Sequence, residues 1–278
     1  KANSHPSILE TLRDLGSSFD VASKGEIVKL MDLGIPTKRM RLAMSSNDSD
    51  WPLSGKFGTD ADHLIDILKY AKRKGLVPYG VSFHVGSQSY NKYKWKEAIL
   101  TASEVFEKLH KERINLKMLN LGGGIPVQHT KPVPTVEEIG AIINESVNEY
   151  LGWVDGLRII AEPGRSMVGS AGITASRVLL RSRKGTQTWV FLDVGVFHGL
   201  METIENFRYE VVVAGKENSE TMTMTLAGPT CDSVDTIYDE IELPIDIDYS
   251  DIVYFMSTGA YTNEYATYFN GIEPIKVY

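Results

Sequence analysis

The first half of the chain alternates short apolar runs with longer stretches whose apolar residues recur at helical spacing. The apolar runs predict strands at 19–22, 41–44, 79–85, 116–121 and 157–160. The helical spacing predicts helices at 7–15, 25–33, 60–74, 95–109 and beyond Thr135, which forms a capping-box pattern with Glu138. Strands that alternate with helices predict an α/β fold with a parallel sheet and right-handed crossovers.

The pattern changes beyond about residue 170. Short runs rich in β-branched and aromatic residues predict strands at 178–180, 189–192, 210–213, 221–226 and 252–255, with no helical pattern between them. We therefore predict an α/β domain at residues 1–170 and an all-β domain at residues 171–278. The stretch 261–269 is predicted to form a short helix.

Composition and charge exclude several classes of protein. With 42% hydrophobic residues among 278, the chain can bury a sizeable core. The net charge of −7 and the lack of a Lys/Arg block argue against a nucleic-acid partner. Cys231 is the only cysteine, which excludes an intrachain disulfide and a zinc site of several thiolates. No apolar run approaches the ~20 residues of a membrane span, and no signal peptide is visible, so we expect a soluble cytoplasmic protein.

Three successive predicted strands end in polar or glycine-rich turns, which hold His84 with Ser87, the glycines at 122–124, and Glu162 with Arg165. In a barrel of parallel strands these turns open on one face, where the chemistry lies. Consecutive glycines let backbone N–H groups surround a phosphate. An acid and a guanidinium three residues apart suit a ligand with a basic ring nitrogen and an anionic tail, as in pyridoxal phosphate. Taken singly, each motif also fits an ordinary turn, and His84 also fits a core histidine.

A second cluster is the Gly-Pro loop at 228–235, which holds Cys231, Asp232 and Asp235 in the predicted β domain. A lone cysteine is usually a small buried hydrophobic residue. Beside an acid in such a loop it also suits a proton donor, with Asp232 recognising a cation. The loop alone leaves both interpretations open.

Seven short motifs occur in the order found in a known family. They are Lys1-Ala2-Asn3, Phe19-Asp20-Val21-Ala22-Ser23, Phe83-His84-Val85-Gly86-Ser87, Leu121-Gly122-Gly123-Gly124, Ala161-Glu162-Pro163-Gly164-Arg165, Gly228-Pro229-Thr230-Cys231-Asp232 and Gly259-Ala260-Tyr261. The chain resembles the pyridoxal phosphate-dependent decarboxylases of the alanine-racemase fold (fold type III) from end to end. It is most similar to the bacterial type of ornithine decarboxylase, some of whose members also take lysine. The resemblance implies a TIM-like α/β barrel followed by an all-β domain.

The resemblance implies a role for each matching residue at a pyridoxal 5'-phosphate site. Lys1 matches the Schiff-base lysine, Glu162 the acid that keeps the pyridine nitrogen protonated, and His84 the imidazole stacked on the ring. Phosphate ligands are matched by Ser87, Gly124, Arg165 and Tyr261, and further cofactor contacts by Gly122, Gly123 and Gly164. Supporting polar residues are matched by Asp20, Glu26 and Arg41, and a lysine on a mobile loop by Lys56.

The resemblance also implies a reaction that two subunits share. Cys231 matches the group that reprotonates the carbanion carbon, and Asp232 matches the acid that holds the distal ammonium of the substrate. Both would reach the active site from the partner subunit of an obligate homodimer. The expected reaction is decarboxylation of a diamino acid, L-ornithine to putrescine or L-lysine to cadaverine, in polyamine biosynthesis.

Three alternatives remain open. In the similar diaminopimelate decarboxylases the position of Asp232 is typically Glu, and the distal group of the substrate carries a carboxylate, so Asp232 favours ornithine or lysine. A non-catalytic relative that binds protein partners has no need of Lys1, Glu162, Cys231 and Asp232 together. A generic phosphate-binding barrel leaves the Cys231 loop without a purpose.

The number of predicted parallel strands falls short of the eight in such a barrel. Strand ends are predicted at six positions, namely Lys1, Ala22, Met44, Val85, Leu121 and Ala161. The shortfall lies between Met40 and Arg41, where the resemblance implies two more βα units. Either the sequence joins parts of a longer chain, or the molecule itself is shorter and its barrel cannot close. Recognisable catalytic positions on both sides of the break favour the first explanation.

Overall fold

A computed structural model describes residues 2–36, 40–42 and 58–278, with only the backbone at 40–42. The described residues divide into two compact units. The α/β unit takes its residues from His5–Pro126 and Val133–Gly164, and the β unit comprises residues 2–4, Val127–Pro132 and Arg165–Tyr278. The domain boundary at residues 170 and 171 stays a prediction. No helix in these described ranges is long and apolar enough to cross a membrane.

The α/β unit alternates helices with strands, as the sequence predicts. Its helices are α1 (Pro6–Asp14), α2 (Lys24–Asp32), α3 (Ala61–Arg73), α4 (Lys94–Lys111) and α5 (Val136–Leu151). Its strands are β1 (Phe19–Val21), β2 (Met40–Leu42), β3 (Gly80–Ser82), β4 (Met118–Asn120) and β5 (Arg158–Ile160). Strands β1 and β2 pair in parallel, and β3, β4 and β5 form a second parallel sheet in that order. The predicted parallel pairing is confirmed, although the described strands form two sheets and not one ring.

Side-chain caps explain where three of these helices begin. The backbone N–H of Glu26 donates to Oγ of Ser23 at the start of α2, and Asp60 caps α3 in the same way. The predicted capping box of α5 is confirmed, because Thr135 and Glu138 each accept from the backbone N–H of the other, at 3.1 and 3.0 Å. Each such cap contributes about 1 kcal/mol.

The core of the α/β unit is built on one face of α4. Trp95, Ile99, Phe106 and Leu109 are buried on this face and belong to the same apolar cluster as Leu119 of β4. Truncating a buried isoleucine or leucine to alanine typically costs about 2–5 kcal/mol. This core therefore fixes β4, whose carboxyl end leads into the glycines at 122–124.

The β unit is a six-stranded sheet in the order β10-β9-β7-β6-β11-β8, antiparallel except between β7 and β9. After the short helix α6 (Arg165–Val168), its strands are β6 (Thr174–Lys184), β7 (Gln187–Leu192), β8 (Val211–Val213), β9 (Thr221–Ala227), β10 (Thr236–Pro244) and β11 (Ile252–Phe255). The sequence did not predict β10. The expectation of no helix between the strands also needs correction, because short 3-10 helices lie at Val196–His198 and Met201–Glu205.

The helix predicted at 261–269 is wrong. Tyr261 has a φ of +61°, which lies outside the right-handed helical region. The N–H of Tyr261 donates to the carbonyl oxygen of Ala2 at 2.8 Å. The N–H of Thr267 donates to the carbonyl oxygen of Phe197 at 2.9 Å. These two N–H groups thus bond to distant backbone groups, whereas those of Tyr265 and Ala266 make only local turn bonds, to Thr262 and Asn263.

Candidate functional site

The three predicted strand-end turns meet in the α/β unit. The N–H of Glu162 donates to the carbonyl oxygen of Gly122 at 2.8 Å. The N–H of Ser89 donates to the carbonyl oxygen of Gly124 at 2.9 Å. These turns follow β3, β4 and β5, which are neighbours in one parallel sheet. The carboxyl ends of such strands lie along one edge, the usual position of a ligand site in an α/β fold.

The glycines at 122–124 allow this close approach. Gly122 and Gly124 have φ values of +62° and +97°, which favour glycine. A Cβ on Gly123 would lie 2.7 Å from the carbonyl oxygen of Glu162 and 3.4 Å from Nε2 of His84. The result is a cradle of bare backbone beside His84 and Glu162. Main-chain N–H groups in such turns suit an anionic group, so the residues present fit a phosphorylated cofactor.

His84 has its ring oriented by its own turn. The backbone N–H of Gly86 donates to Nδ1 of His84 at 2.9 Å. Because a backbone N–H can only donate, Nδ1 is the acceptor, and the proton of the neutral ring lies on Nε2. His84 is half-buried, as is Ser87 in the same turn.

Glu162 is held by a residue that the sequence analysis did not single out. The amide Nδ2 of Asn120 donates to Oε1 of Glu162 at 2.6 Å. Oδ1 of Asn120 accepts from the N–H of Gly122 at 3.1 Å. The carboxylate, the glycine turn and the end of β4 are therefore linked by one buried amide.

Arg165 lies in a buried polar cluster of the β unit. Its terminal nitrogens Nη1 and Nη2 donate to the two carboxylate oxygens of Glu202, with the Nη1–Oε2 distance at 2.9 Å. The exposed fraction of the side chain is 4% for Arg165 and 11% for Glu202. The guanidinium lies 4.8 Å from the ring centres of Phe207 and Tyr261. A guanidinium has five N–H donors, of which this pair uses two.

Burial and the Arg165–Glu202 pair set the ionisation of their neighbours. Burial alone would lower the pKa of Arg165, but the hydrogen bonds and charge of Glu202 outweigh it and raise that pKa. Burial raises the pKa of Tyr209, whose hydroxyl donates to Oε2 of Glu202 at 3.2 Å, and the pKa of Tyr261. Burial, helped by the charge of Arg165, lowers the pKa of His129 to about 4. At neutral pH, Arg165 is therefore charged and His129 is not.

The N-terminal residues of the β unit are attached to the loop that contains Tyr261. Besides the bond between Ala2 and Tyr261, Nδ2 of Asn3 donates to the carbonyl oxygen of Gly259 at 3.0 Å. The N–H of Ser4 donates to Oε1 of Glu264 at 2.7 Å. Lys1 itself lies outside the described residues.

Cys231 and Asp232 are exposed on a loop of the β unit. Sγ of Cys231 donates to Oδ1 of Asn270 at 3.7 Å. The loop is shaped by Asp235, which is only 2% exposed. The carboxylate of Asp235 accepts from the N–H of Val196 at 2.7 Å and from that of Thr230 at 2.9 Å.

The other predicted cofactor residues lie in or next to β1, β2 and β5 or outside the described residues. Asp20 is exposed in β1. Oε2 of Glu26 accepts from the N–H of Ala22 at 2.6 Å, so this carboxylate ties β1 to the first turn of α2. Gly164 lies in the turn between β5 and α6. The side chain of Arg41 and all of Lys56 fall outside the described residues.

Sequence reasoning missed Asn120 and Glu202, and it gave no role to Asp235 within the cluster at 228–235. Asn120 could have been noticed as a polar residue in the apolar run at 116–121. Asp235 closes the loop of Cys231 and Asp232, where a second acid was visible. Nothing in the sequence pattern pairs Glu202 with Arg165, because 37 positions separate them.

Comparison with known proteins gives a family match in the first part of the chain. The family described as pyridoxal-dependent decarboxylase, pyridoxal binding domain, matches residues 1–51 and 40–169. The two matched segments overlap at 40–51. This overlap includes Met40 and Arg41, between which two further βα units were expected. Together they cover more than half of the chain.

Similar proteins extend the match over almost the whole chain. The lysine/ornithine decarboxylase of Selenomonas ruminantium is 30% identical over 320 residues, which cover 98% of this chain and 79% of that protein. Antizyme inhibitor 2 of Xenopus laevis is 26% identical, over 100% of this chain and 74% of its own length. Among solved structures, the Vibrio vulnificus lysine/ornithine decarboxylase complexed with cadaverine has a TM-score of 0.86 at 29% identity, and covers 99% of this chain and 84% of that one.

Proposed function

The chain belongs to the family of pyridoxal-dependent decarboxylases, and we propose that it releases carbon dioxide from L-ornithine, L-lysine or both. The products would be putrescine and cadaverine, in polyamine biosynthesis. The Vibrio vulnificus enzyme, known in complexes with cadaverine and with putrescine, supports this range of substrates. The observation that carries the proposal is the meeting of His84, the glycines at 122–124 and Glu162 at one sheet edge.

The cofactor is pyridoxal 5'-phosphate, whose ring, when bound, accepts the electron pair released as the substrate carboxylate leaves as carbon dioxide. We assign Glu162 to hold a proton at the pyridine nitrogen and the imidazole of His84 to lie against the ring. Lys1 is assigned to carry the cofactor and to reclaim it at the end of each turnover. The attachment of residues 2–4 to the Tyr261 loop supports the assignment of Lys1, because it fixes the segment that follows Lys1 in the chain.

The phosphate group is assigned to donors that the sequence motifs mark. These donors are Ser87, Gly124, Arg165 and Tyr261, and Gly122, Gly123 and Gly164 are assigned to further contacts with the cofactor. Charge-assisted hydrogen bonds from a guanidinium are a strong means of holding phosphate. The raised pKa of Arg165 supports this assignment, because the group stays charged despite its burial. Asp20, Glu26 and Arg41 are assigned to the polar surroundings of the cofactor, and Lys56 to a loop over it.

Two further residues are assigned to the site of a partner subunit in a homodimer. Cys231 would return a proton to Cα after carbon dioxide leaves, and Asp232 would hold the distal ammonium of the substrate. The exposure of both side chains supports this assignment, because groups that serve a partner's site must reach beyond their own subunit. The cytoplasmic location also stays a prediction.

The substrate assignment depends on Asp232. A short carboxylate suits an ammonium group, whereas a diaminopimelate-type decarboxylase must also bind a distal carboxylate. A non-catalytic role is the other alternative, and the similarity to antizyme inhibitor 2 gives it a specific basis. The joint presence of Glu162, Cys231 and Asp232 favours the enzyme.

We further propose that the α/β unit corresponds to a TIM-like barrel from which two βα units are missing in this sequence. The alignment with the Selenomonas protein spans 320 residues, more than the 278 of this chain, so the relative carries residues with no counterpart here. The overlap of the two matched family segments at 40–51 supports a break at Met40 and Arg41.

The test is carbon dioxide release from ornithine, lysine and diaminopimelate by protein incubated with pyridoxal phosphate, alongside a visible absorbance scan. Release from ornithine or lysine is expected, with loss in Glu162→Ala. Release from diaminopimelate alone would overturn the substrate assignment. A protein that binds no cofactor and releases nothing would favour the non-catalytic relative.

A further inference from the structure

Asn120 is a buried amide whose two polar ends are both used. It is the last residue of β4 and is 1% exposed, beside the apolar Leu119 and Leu121. Burying an amide costs free energy unless it is hydrogen-bonded. Its bonds to Glu162 and Gly122 meet that need at 2.6 and 3.1 Å.

The orientation of this amide follows from its partners. A backbone N–H can only donate, so the N–H of Gly122 must face the oxygen Oδ1 of Asn120. The NH₂ end of Asn120 is therefore the end that faces Glu162. Because an NH₂ group only donates, it favours the ionised carboxylate.

Asn120 also completes a closed ring of three hydrogen bonds. Asn120 donates to Glu162, the N–H of Glu162 donates to the carbonyl oxygen of Gly122, and the N–H of Gly122 donates to Asn120. The ring joins the ends of β4 and β5 by both backbone and side-chain bonds. A carboxylate held in this way keeps one orientation relative to the glycine turn.

We propose that Asn120 is a positioning residue, which holds the Glu162 carboxylate ionised and oriented for the pyridine nitrogen of the cofactor. This inference rests on the proposed function, in which Glu162 faces that nitrogen. Asn120 acts through Glu162 and touches neither the substrate nor the reacting atoms. Its contribution disappears when Glu162 is absent.

A serine at position 120 separates this role from support of the glycine turn. The bond from Oδ1 to the N–H two residues later is a local Asx-type bond, which a serine hydroxyl also makes. Asn120→Ser therefore keeps an acceptor for Gly122 but is too short to reach Glu162. Asn120→Ala removes both bonds and serves as a second variant. Ser103→Ala is the matched control, because Ser103 is buried in α4 and its hydroxyl donates to the carbonyl oxygen of Leu100 in the same helix.

The experiment is a double-mutant cycle between Asn120→Ser and Glu162→Ala, with two readouts. These are the dissociation constant of pyridoxal phosphate and the pH dependence of the visible absorbance of the bound cofactor. Asn120→Ser alone is expected to weaken binding about tenfold, in line with a hydrogen bond to a charged group. It is also expected to shift the pH profile. In the Glu162→Ala background it should change neither readout by more than about twofold.

Equal effects of Asn120→Ser in the two backgrounds would overturn the inference, because the amide would then act independently of Glu162. The proposed function fails differently. In that case the unsubstituted protein binds no pyridoxal phosphate, or Glu162→Ala leaves binding and absorbance unchanged. If Asn120→Ser does not fold, the same cycle with Asn120→Ala decides.

Discussion

Glu202 pairs with Arg165 through both of its carboxylate oxygens, within one buried cluster of the β unit. The pair sits against Phe207 and Tyr261, and the hydroxyl of Tyr209 adds a third donor to Glu202. The arrangement fixes the guanidinium plane of a residue that the family motif marks for phosphate binding.

Removing Glu202 should destabilise the protein strongly. Glu202→Ala leaves the Arg165 charge buried without its partner, and breaking a buried pair in this way costs about 3–5 kcal/mol. Urea unfolding measures the loss. As a control, Asp14→Ala removes an exposed ion pair with Arg13 and should leave the unfolding midpoint unchanged. Equal midpoints for the two variants would contradict a stabilising role for the buried pair.

Stability should fall between pH 7 and pH 5 through His129. Its pKa is about 4 in the folded chain, against 6.5 as its ordinary value, so the unfolded chain binds the proton more tightly. The free energy that His129 contributes is present above pH 6.5 and is lost as the pH falls towards 4, by about 2 kcal/mol at pH 5. His129→Leu should reduce the pH dependence of urea unfolding by this amount. An unchanged slope would mean that another group causes it.

Gly123 and Gly140 should respond oppositely to alanine. A Cβ on Gly123 would meet backbone atoms of Glu162, whereas nothing lies within 4 Å of a Cβ on Gly140 in α5. Gly123→Ala should therefore weaken pyridoxal phosphate binding at least tenfold. Gly140→Ala should leave binding intact and stabilise the protein by about 0.5–1 kcal/mol. Tight cofactor binding by Gly123→Ala would contradict the assignment of this turn to the cofactor.

Asp235 should be needed for the loop of Cys231 and Asp232. Asp235→Ala leaves the buried N–H of Val196 and the half-buried N–H of Thr230 without their acceptor, and the loss at Val196 alone costs about 1–3 kcal/mol. We expect a large loss of stability and of kcat, measured by urea unfolding and carbon dioxide release. Asp239→Ala, at an exposed position of β10, is the control. Retained kcat in Asp235→Ala would show that the loop does not depend on this carboxylate.

Local signals in the sequence predicted much of the fold. The capping box of Thr135 and Glu138 and the periodicity of α4 depend on neighbours three or four residues away, and both are confirmed. The strand-end motifs were also recognised, because the glycines at 122–124 and Glu162 each follow an apolar run. Their meeting could be expected from the parallel arrangement alone.

The features that were missed depend on distant partners. In the stretch 261–269, where a helix was expected, the backbone N–H groups of Tyr261 and Thr267 instead donate to the distant carbonyl oxygens of Ala2 and Phe197. Asn120 and Glu202 acquire their roles from Glu162 and Arg165, 42 and 37 positions away. Periodicity predicts neither of these two contacts, because it depends only on residues that are close along the chain.

Decarboxylation is measured directly by the release of labelled carbon dioxide from carboxyl-labelled L-ornithine and L-lysine, by protein loaded with pyridoxal phosphate. We expect release of one carbon dioxide for each diamine formed, with loss of both products in Lys1→Ala. Bound cofactor with no release from either amino acid would contradict the assignment of this chain as a decarboxylase of ornithine or lysine.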